Sequence, residues 1–272
     1  MKSFIVLSVI VALAFGHPQN GAVTFDGIEN RIAGGQIAAP NQIPFQVRLS
    51  LTKNNMGRLV TSLCGGSIIA SKVVITAAHC LEGAIDGVVH FGSTKTRPDE
   101  STYIGMRVKK QNFIIHERWS RFLLINDIAL IILPKPIQFN SAVQPINLPK
   151  TGEENLENRM AVISGYGRMG DGQGTSTVLR FVPRRIVSGD VCKRTFMGKF
   201  RSTHVCVDGS DRKSACPGDS GGPLFVEESN GSRTLVGLTS FGRQTCESGF
   251  PIVYTRVSSY LPWIEKSTGL YF

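Results

Sequence analysis

Ser220 stands in the segment SACPGDSGGPLF, residues 214 to 225, between Asp219 and Gly221-Gly222-Pro223. A serine hydroxyl is a weak nucleophile unless an adjacent base takes its proton. The string by itself also reads as a tight surface turn, because Asp, Ser, Gly and Pro are the commonest turn residues for separate steric reasons. Partners must therefore come from elsewhere in the chain. His79 lies near the end of VITAAHC, residues 74 to 80, and one histidine alone is more often structural than catalytic. Asp127 heads the apolar run of INDIALIIL, where an ionised carboxylate is costly to bury unless it is paired. A buried aspartate beside a histidine, beside a serine, explains all three at once, as a nucleophile, its general base and the group that holds the base.

The elements that must bring these residues together read as strands. Stretches such as VVITAA, DIALIIL, MAVISGYG and TLVGLTSFG are separated by Gly, Pro, Asn and Ser, and many such runs point to a barrel or sandwich. Helical spacing is confined to the tail, Ser258 to Thr268, where Leu261, Trp263 and Ile264 are apolar and Pro262 suits a first turn. There is no internal repeat and no low-complexity linker.

The chain opens with Lys2, a 12-residue apolar run from Phe4 to Phe15 broken only by Ser8, and then small residues at Ala14 and Gly16. This is the pattern of a secretory signal peptide over residues 1–16, and the run falls short of the roughly 20 residues a membrane span needs. Export to an oxidising compartment makes the six cysteines, Cys64, Cys80, Cys192, Cys206, Cys216 and Cys246, most economical as three disulfides. Sequence alone allows about fifteen connectivities. A metal site finds no support, since no C-x-x-C or C-x-x-H pair occurs. The net charge is +10, and between Arg180 and Lys213 nine basic residues stand against three acids. Such a run reads first as a solvated face, and second as an attraction for polyanions. No nucleic-acid motif accompanies it.

The order His79, Asp127, Ser220, carried by A-A-H-C, N-D-I-A-L and G-D-S-G-G-P, resembles the chymotrypsin-like serine proteases, and the resemblance runs from Arg31 to the C-terminal helix. It implies an all-β fold of two antiparallel six-stranded barrels with a C-terminal α-helix. The N-terminal barrel would cover about 32–145 and the C-terminal barrel with the helix about 146–272. It implies a Ser220 nucleophile, a His79 base oriented by Asp127, and an oxyanion hole from the N–H groups of Gly218 and Ser220. The implied disulfides are Cys64–Cys80, Cys192–Cys206 and Cys216–Cys246. No cofactor is required. The segment NRIAGGQ resembles the family's activation site: cutting after Arg31, by a protease of trypsin-like specificity, would release a propeptide, residues 17–31. The new ammonium of Ile32 would then pair with Asp219. Ala33 departs from the usual valine.

The resemblance assigns the specificity pocket to Ser214 at its base, with Ala215, Pro217, Ser240, Phe241, Gly242 and Ile252 around it. An uncharged Ser214 argues against cleavage after Lys or Arg. Ser240-Phe241-Gly242 matches the segment that pairs with substrate backbone, with Phe replacing the usual Trp. Ile252 stands where the family pattern has glycine, so small to medium apolar residues are expected before the scissile bond (P1). The stretch C-E-S-G-x-P, the G-G-S-I-I around Gly65 and the tail are most similar to arthropod members of the chymotrypsin and collagenolytic brachyurin type. That implies a secreted digestive endopeptidase, monomeric, acting on protein or peptide substrates and open to protein inhibitors. Two alternatives accompany it: a non-catalytic homologue whose pocket Ile252 and Pro217 close, and a polyanion-binding protein using the basic face. Asn230-Gly231-Ser232 is a glycosylation sequon. His90, His116 and His204 have no companion motif and read as structural, and residues 95 to 102 read as a solvated loop.

Overall fold

A computed structural model describes residues 35–150, 155–243 and 245–271. The expected signal peptide and propeptide, with Arg31 and Ile32, lie outside the described residues. In chain order the strands are β1 (Gln36–Ile37), β2 (Gln46–Asn55), β3 (Arg58–Ala70), β4 (Val73–Thr76), β5 (Ala84–Phe91), β6 (Ile104–Lys109), β7 (Phe113–Ile115) and β8 (Ala129–Ile132). They continue with β9 (Met160–Gly165), β10 (Arg180–Val187), β11 (His204–Val207), β12 (Pro223–Glu227), β13 (Arg233–Phe241) and β14 (Ile252–Arg256). Among the described residues three short α-helices accompany them: α1 (Ala78–Leu81), α2 (Gly189–Thr195) and α3 (Leu261–Thr268).

Among the described residues the pairings between these strands are antiparallel and form two sheets. One runs β6-β5-β2-β3-β4-β8-β7. Only the 3-10 turn Lys110–Asn112 separates β6 from β7, so the two are halves of one bent strand that closes a six-stranded barrel. The other runs β10-β11-β14-β13-β12-β9, with β9 pairing back to β10, and β1 adds to it at β10. The expectation of two six-stranded barrels therefore holds.

Alternation along the strands explains the closure. In β2, Val47, Leu49 and Leu51 are fully buried inside the first barrel with Ile68, Val74, Val89 and Ile131, while Arg48 and Ser50 point outward. Burying each of these aliphatic side chains is worth about 1.5–3 kcal/mol. Ile163, Val205, Val207, Leu224, Val226 and Tyr254 fill the second barrel. A third cluster, with Phe45, Ile75, Leu130, Phe225 and Leu238, forms the seam between the barrels, and α3 lays Leu261 and Ile264 onto it. The helix starts later than its apolar spacing indicates, because Val257–Tyr260 is a 3-10 turn. It ends at Gly269, whose φ of 70° is the left-handed cap that glycine tolerates best.

The three disulfides pair Cys64 with Cys80, Cys192 with Cys206 and Cys216 with Cys246, as the resemblance implies. Each contributes on the order of 2–4 kcal/mol by restricting the unfolded chain.

One expectation is corrected here. Arg184 does not belong to a solvated basic face: it is buried on β10 and paired with Asp211 at 2.5 Å. Strand alternation turns its side chain inward while Arg185 stays exposed.

Candidate active site

The seam brings His79, Asp127 and Ser220 to one place from three directions. His79 lies in α1, directly after β4, while Asp127 precedes β8, the neighbour of β4 in the same sheet. Pairing of Thr76 with Ala129 across β4 and β8 therefore sets the two side by side. Asp127 is 1% exposed and its carboxylate is fully bonded. Oδ1 accepts the backbone N–H of His79 at 2.9 Å, and Oδ2 accepts from the ring Nδ1 at 2.8 Å and from Ser240 Oγ at 2.6 Å. Thr255 Oγ1 donates to the Asp127 carbonyl at 2.8 Å. With its Nδ1 proton directed at a carboxylate, the imidazole keeps Nε2 as an acceptor.

Ser220 comes from the second barrel, in the loop before β12. Its carbonyl accepts the N–H of Gly65 at 2.8 Å and lies 3.4 Å from Cys80 Sγ, which ties it to the His79 side of the seam. Its hydroxyl has no hydrogen-bond partner among the described residues, so His79 and Asp127 are bonded and the link from Nε2 to Ser220 Oγ is open. The N–H groups of Gly218 and Ser220 likewise have no acceptor among the described residues. Gly218 has φ +104°, and a Cβ there would lie 2.9 Å from Gly167 Cα, so no other residue fits.

Asp219 is completely buried. Oδ1 accepts from Gly167 N at 2.7 Å and Oδ2 from Cys216 N at 3.0 Å. Gly165 and Gly167 are tight against the carboxylate, and a Cβ on either would collide with it. Burial pushes its pKa up from 3.8 to about 6, against the two backbone hydrogen bonds that pull it down.

Beside Ser220 a cavity of about 220 Å³ is lined by all seven expected pocket residues, Ser214, Ala215, Pro217, Ser240, Phe241, Gly242 and Ile252. Ser214 offers no free hydroxyl to a ligand, since its Oγ donates to Cys246 O at 2.7 Å. Ile252 is 6% exposed and faces Gly242: a Cβ built on Gly242 would be 3.8 Å from Ile252 Cγ1. The isoleucine is thus one of the residues lining the pocket, next to Gly242 at the end of the neighbouring strand. Phe241 is held edge-on between Phe196 and His204.

Several participants escaped the sequence. Ser240 was expected only as a substrate-pairing residue, yet its hydroxyl completes the Asp127 shell. Lys53 Nζ donates to the His79 carbonyl at 3.0 Å. Phe250 and Arg243 form the pocket mouth, with the guanidinium 4.5 Å above the ring. Ser240 lies within β13, and no local signal in the sequence marks its bond to Asp127 or the other contacts.

Among the described residues the other histidines, His90, His116 and His204, make structural contacts. His90 bonds Ser50 Oγ and Tyr103 Oη, and burial lowers its pKa to about 4. His204 accepts the Arg201 N–H and bonds Leu124 O, again with a pKa near 4 because of burial. His116 accepts from Arg118 N and packs on Tyr260 and Trp263. Cys64, His79 and Cys80 have donor atoms within 4.8 Å of one another, but both sulfurs are spent in one disulfide, which leaves no thiolate for a metal. No helix among the described residues is long and apolar enough to cross a membrane.

A family model described as Trypsin matches residues 32–264. The chain belongs to the trypsin family. It is thus a chymotrypsin-like serine protease, a hydrolase of peptide bonds. It is similar to a collagenase of Hypoderma lineatum, 35% identical over 279 residues that span 100% of both chains. It is also similar to a brachyurin of Leptuca pugilator, 35% identical over 88% of this chain and 99% of that one. The solved structure of HL collagenase superposes with a TM-score of 0.77 at 33% identity, covering 88% of this protease and 99% of that chain.

Proposed function

We propose that this protease is an exported endopeptidase, made as an inactive precursor and cutting after small to medium apolar residues. The observation that carries the reading is the bonded Asp127–His79 pair beside Ser220, with the free N–H groups of Gly218 and Ser220 and an adjoining pocket lined by the uncharged Ser214 and by Ile252. Ser220 Oγ attacks the scissile carbonyl while His79 Nε2 takes its proton, then returns it to the leaving amine. Asp127 holds the Nδ1 proton and offsets the charge of the imidazolium. The N–H groups of Gly218 and Ser220 receive the developing oxyanion. The open pocket beside Ser220 favours this over an occluded, non-catalytic homologue, and the burial of Arg184 removes one cation from the polyanion-binding alternative.

In this reading residues 1–16 are the signal peptide, residues 17–31 the propeptide and residues 32–272 the protease domain, which acts as a monomer. A trypsin-like activator cuts after Arg31. Protein inhibitors would occupy the same cleft as the substrate. The similarity to a protein named collagenase supports a protein substrate, and the digestive role is part of this reading. Export would also expose Asn230, at the surface between β12 and β13, to glycosylation. The first test is hydrolysis of peptides varied at P1 by protein cut after Arg31.

Activation has a pH signature. A carboxyl whose folded pKa is raised destabilises the fold as pH climbs from the unfolded value through the folded one. For Asp219 that window runs from 3.8 to about 6. At about 1.36 kcal/mol per unit the loss approaches ~3 kcal/mol. Pairing with the Ile32 ammonium removes it. Scanning calorimetry of both forms should therefore show the melting temperature of the cut form pulling ahead of the precursor's between pH 4 and 7. A gap independent of pH would contradict the pairing. At the alkaline end the ammonium, whose free pKa is about 7.7–8.0, is raised by Asp219. Its contribution is complete below that free value and is lost as pH rises through the higher folded one, and activity should fall with it.

A further inference from the structure

Residues 168–175 form a small hairpin beside the pocket, outside its lining. The bridge between Arg168 and Thr175 closes it, and Met169 N donates to Gly174 O at 3.1 Å. Its base is bonded to the loop that carries Ser220: Arg168 N donates to Pro217 O at 3.0 Å, and Gly167 N to Asp219 Oδ1 at 2.7 Å. Its tip is bonded to the pocket wall. Asp171 Oδ1 accepts from Cys246 N at 2.8 Å and Oδ2 from Glu247 N at 3.1 Å, while Glu247 Oε2 accepts from Asp171 N at 2.7 Å. Each carboxylate thus binds the backbone of the other residue, in a reciprocal clasp made of hydrogen bonds to ionised oxygens, the stronger kind.

What the clasp holds is the pocket itself. Cys246 and Ser248 line the cavity, and Glu247 between them turns its side chain to Asp171 instead. The carbonyl of Cys246 accepts Ser214 Oγ at the pocket base, and its sulfur is joined to Cys216. Residues 245–251, between β13 and β14, belong to no strand. Backbone N–H groups outside a ladder need other acceptors, and Asp171 supplies two of them. Gly170 leaves the room for this, since a Cβ there would lie 3.0 Å from Glu247 Oε2.

Resting on the protease reading, we infer that Asp171 and Glu247 are positioning residues for P1 recognition: their clasp fixes the pocket wall at Cys246 against the segment that carries the oxyanion hole. Neither residue lines the pocket, so both act through Cys246. A wall already in place meets the P1 side chain without being ordered by it, which lowers the cost of binding. A leucine at P1 gains from that surface along its whole side chain, whereas an alanine offers one methyl group to it. The clasp therefore contributes more to cleavage after leucine than after alanine.

The test compares kcat/KM for two peptides that differ only in Leu or Ala at P1. The ratio of the two values cancels the amount of folded enzyme, so a variant that is merely less stable leaves it unchanged. In Asp171→Ala, which removes both acceptors, the Leu-to-Ala ratio should fall about tenfold, mainly through a higher KM for the leucine peptide. Glu247→Ala should lower it by less. Glu247→Gln should keep it, because the amide still offers an oxygen to Asp171 N. Asp171→Asn leaves one oxygen for two N–H donors and should give an intermediate ratio, which carries the test should Asp171→Ala fail to fold. A ratio unchanged in the Asp171 variants, or Glu247→Gln as damaging as Glu247→Ala, would overturn the assignment. Silence of wild type towards either peptide would instead contradict the proposed function on which it rests.

Discussion

Asp127→Asn should lower kcat about 10⁴-fold while leaving the fold intact, the size of effect known for the Ser-His-Asp arrangement in general. Here the reason is visible in the hydrogen bonds. Asp127 Oδ2 accepts two donors, His79 Nδ1 and Ser240 Oγ, and Oδ1 accepts the His79 backbone N–H. An amide offers one oxygen and one NH₂ for these places, so in either orientation a donor must face a donor. The relief open to the ring is to move its proton to Nε2, where it can no longer accept from Ser220. Steady-state kinetics and a thermal melt together check this: loss of kcat with an unchanged melting temperature supports it, and retained kcat contradicts the assignment of Asp127.

Ile252→Gly carries the second large effect. Ile252 lines the pocket and reaches towards Gly242, so removing four carbons reopens the space that an aromatic P1 side chain requires. One methylene in such a pocket discriminates by roughly 10–200-fold, and the preference for Phe over Ala should rise by ~100-fold or more. The change also has a structural cost. The side chain packs in the second barrel's core beside Ala215, and large-to-small changes at buried aliphatic positions cost about 2–5 kcal/mol. A broadened P1 profile with a lower melting temperature is the expected pair of results. An unchanged profile would mean that another wall sets the limit.

Much of this site was legible because its residues sit in short strings that are chemically odd for their surroundings. An aspartate heading an apolar strand and a serine among glycines demand partners, and the β4–β8 pairing supplies one. The seven pocket residues follow from the family resemblance, and all line one cavity. What escaped depends on contacts far apart in sequence. Ser240 reaches Asp127 across 113 positions, and nothing near either residue announces the bond. Arg184 was counted with a surface charge run because a run carries no register; its place on β10, opposite Asp211, decides its burial.

The most direct test is hydrolysis of a P1-varied peptide library by protein cut after Arg31, with Ser220→Ala beside it. Cleavage after Ala, Val or Leu that disappears in Ser220→Ala is the predicted result. Cleavage that survives in Ser220→Ala, or a wild type that prefers Phe or Tyr, would contradict it.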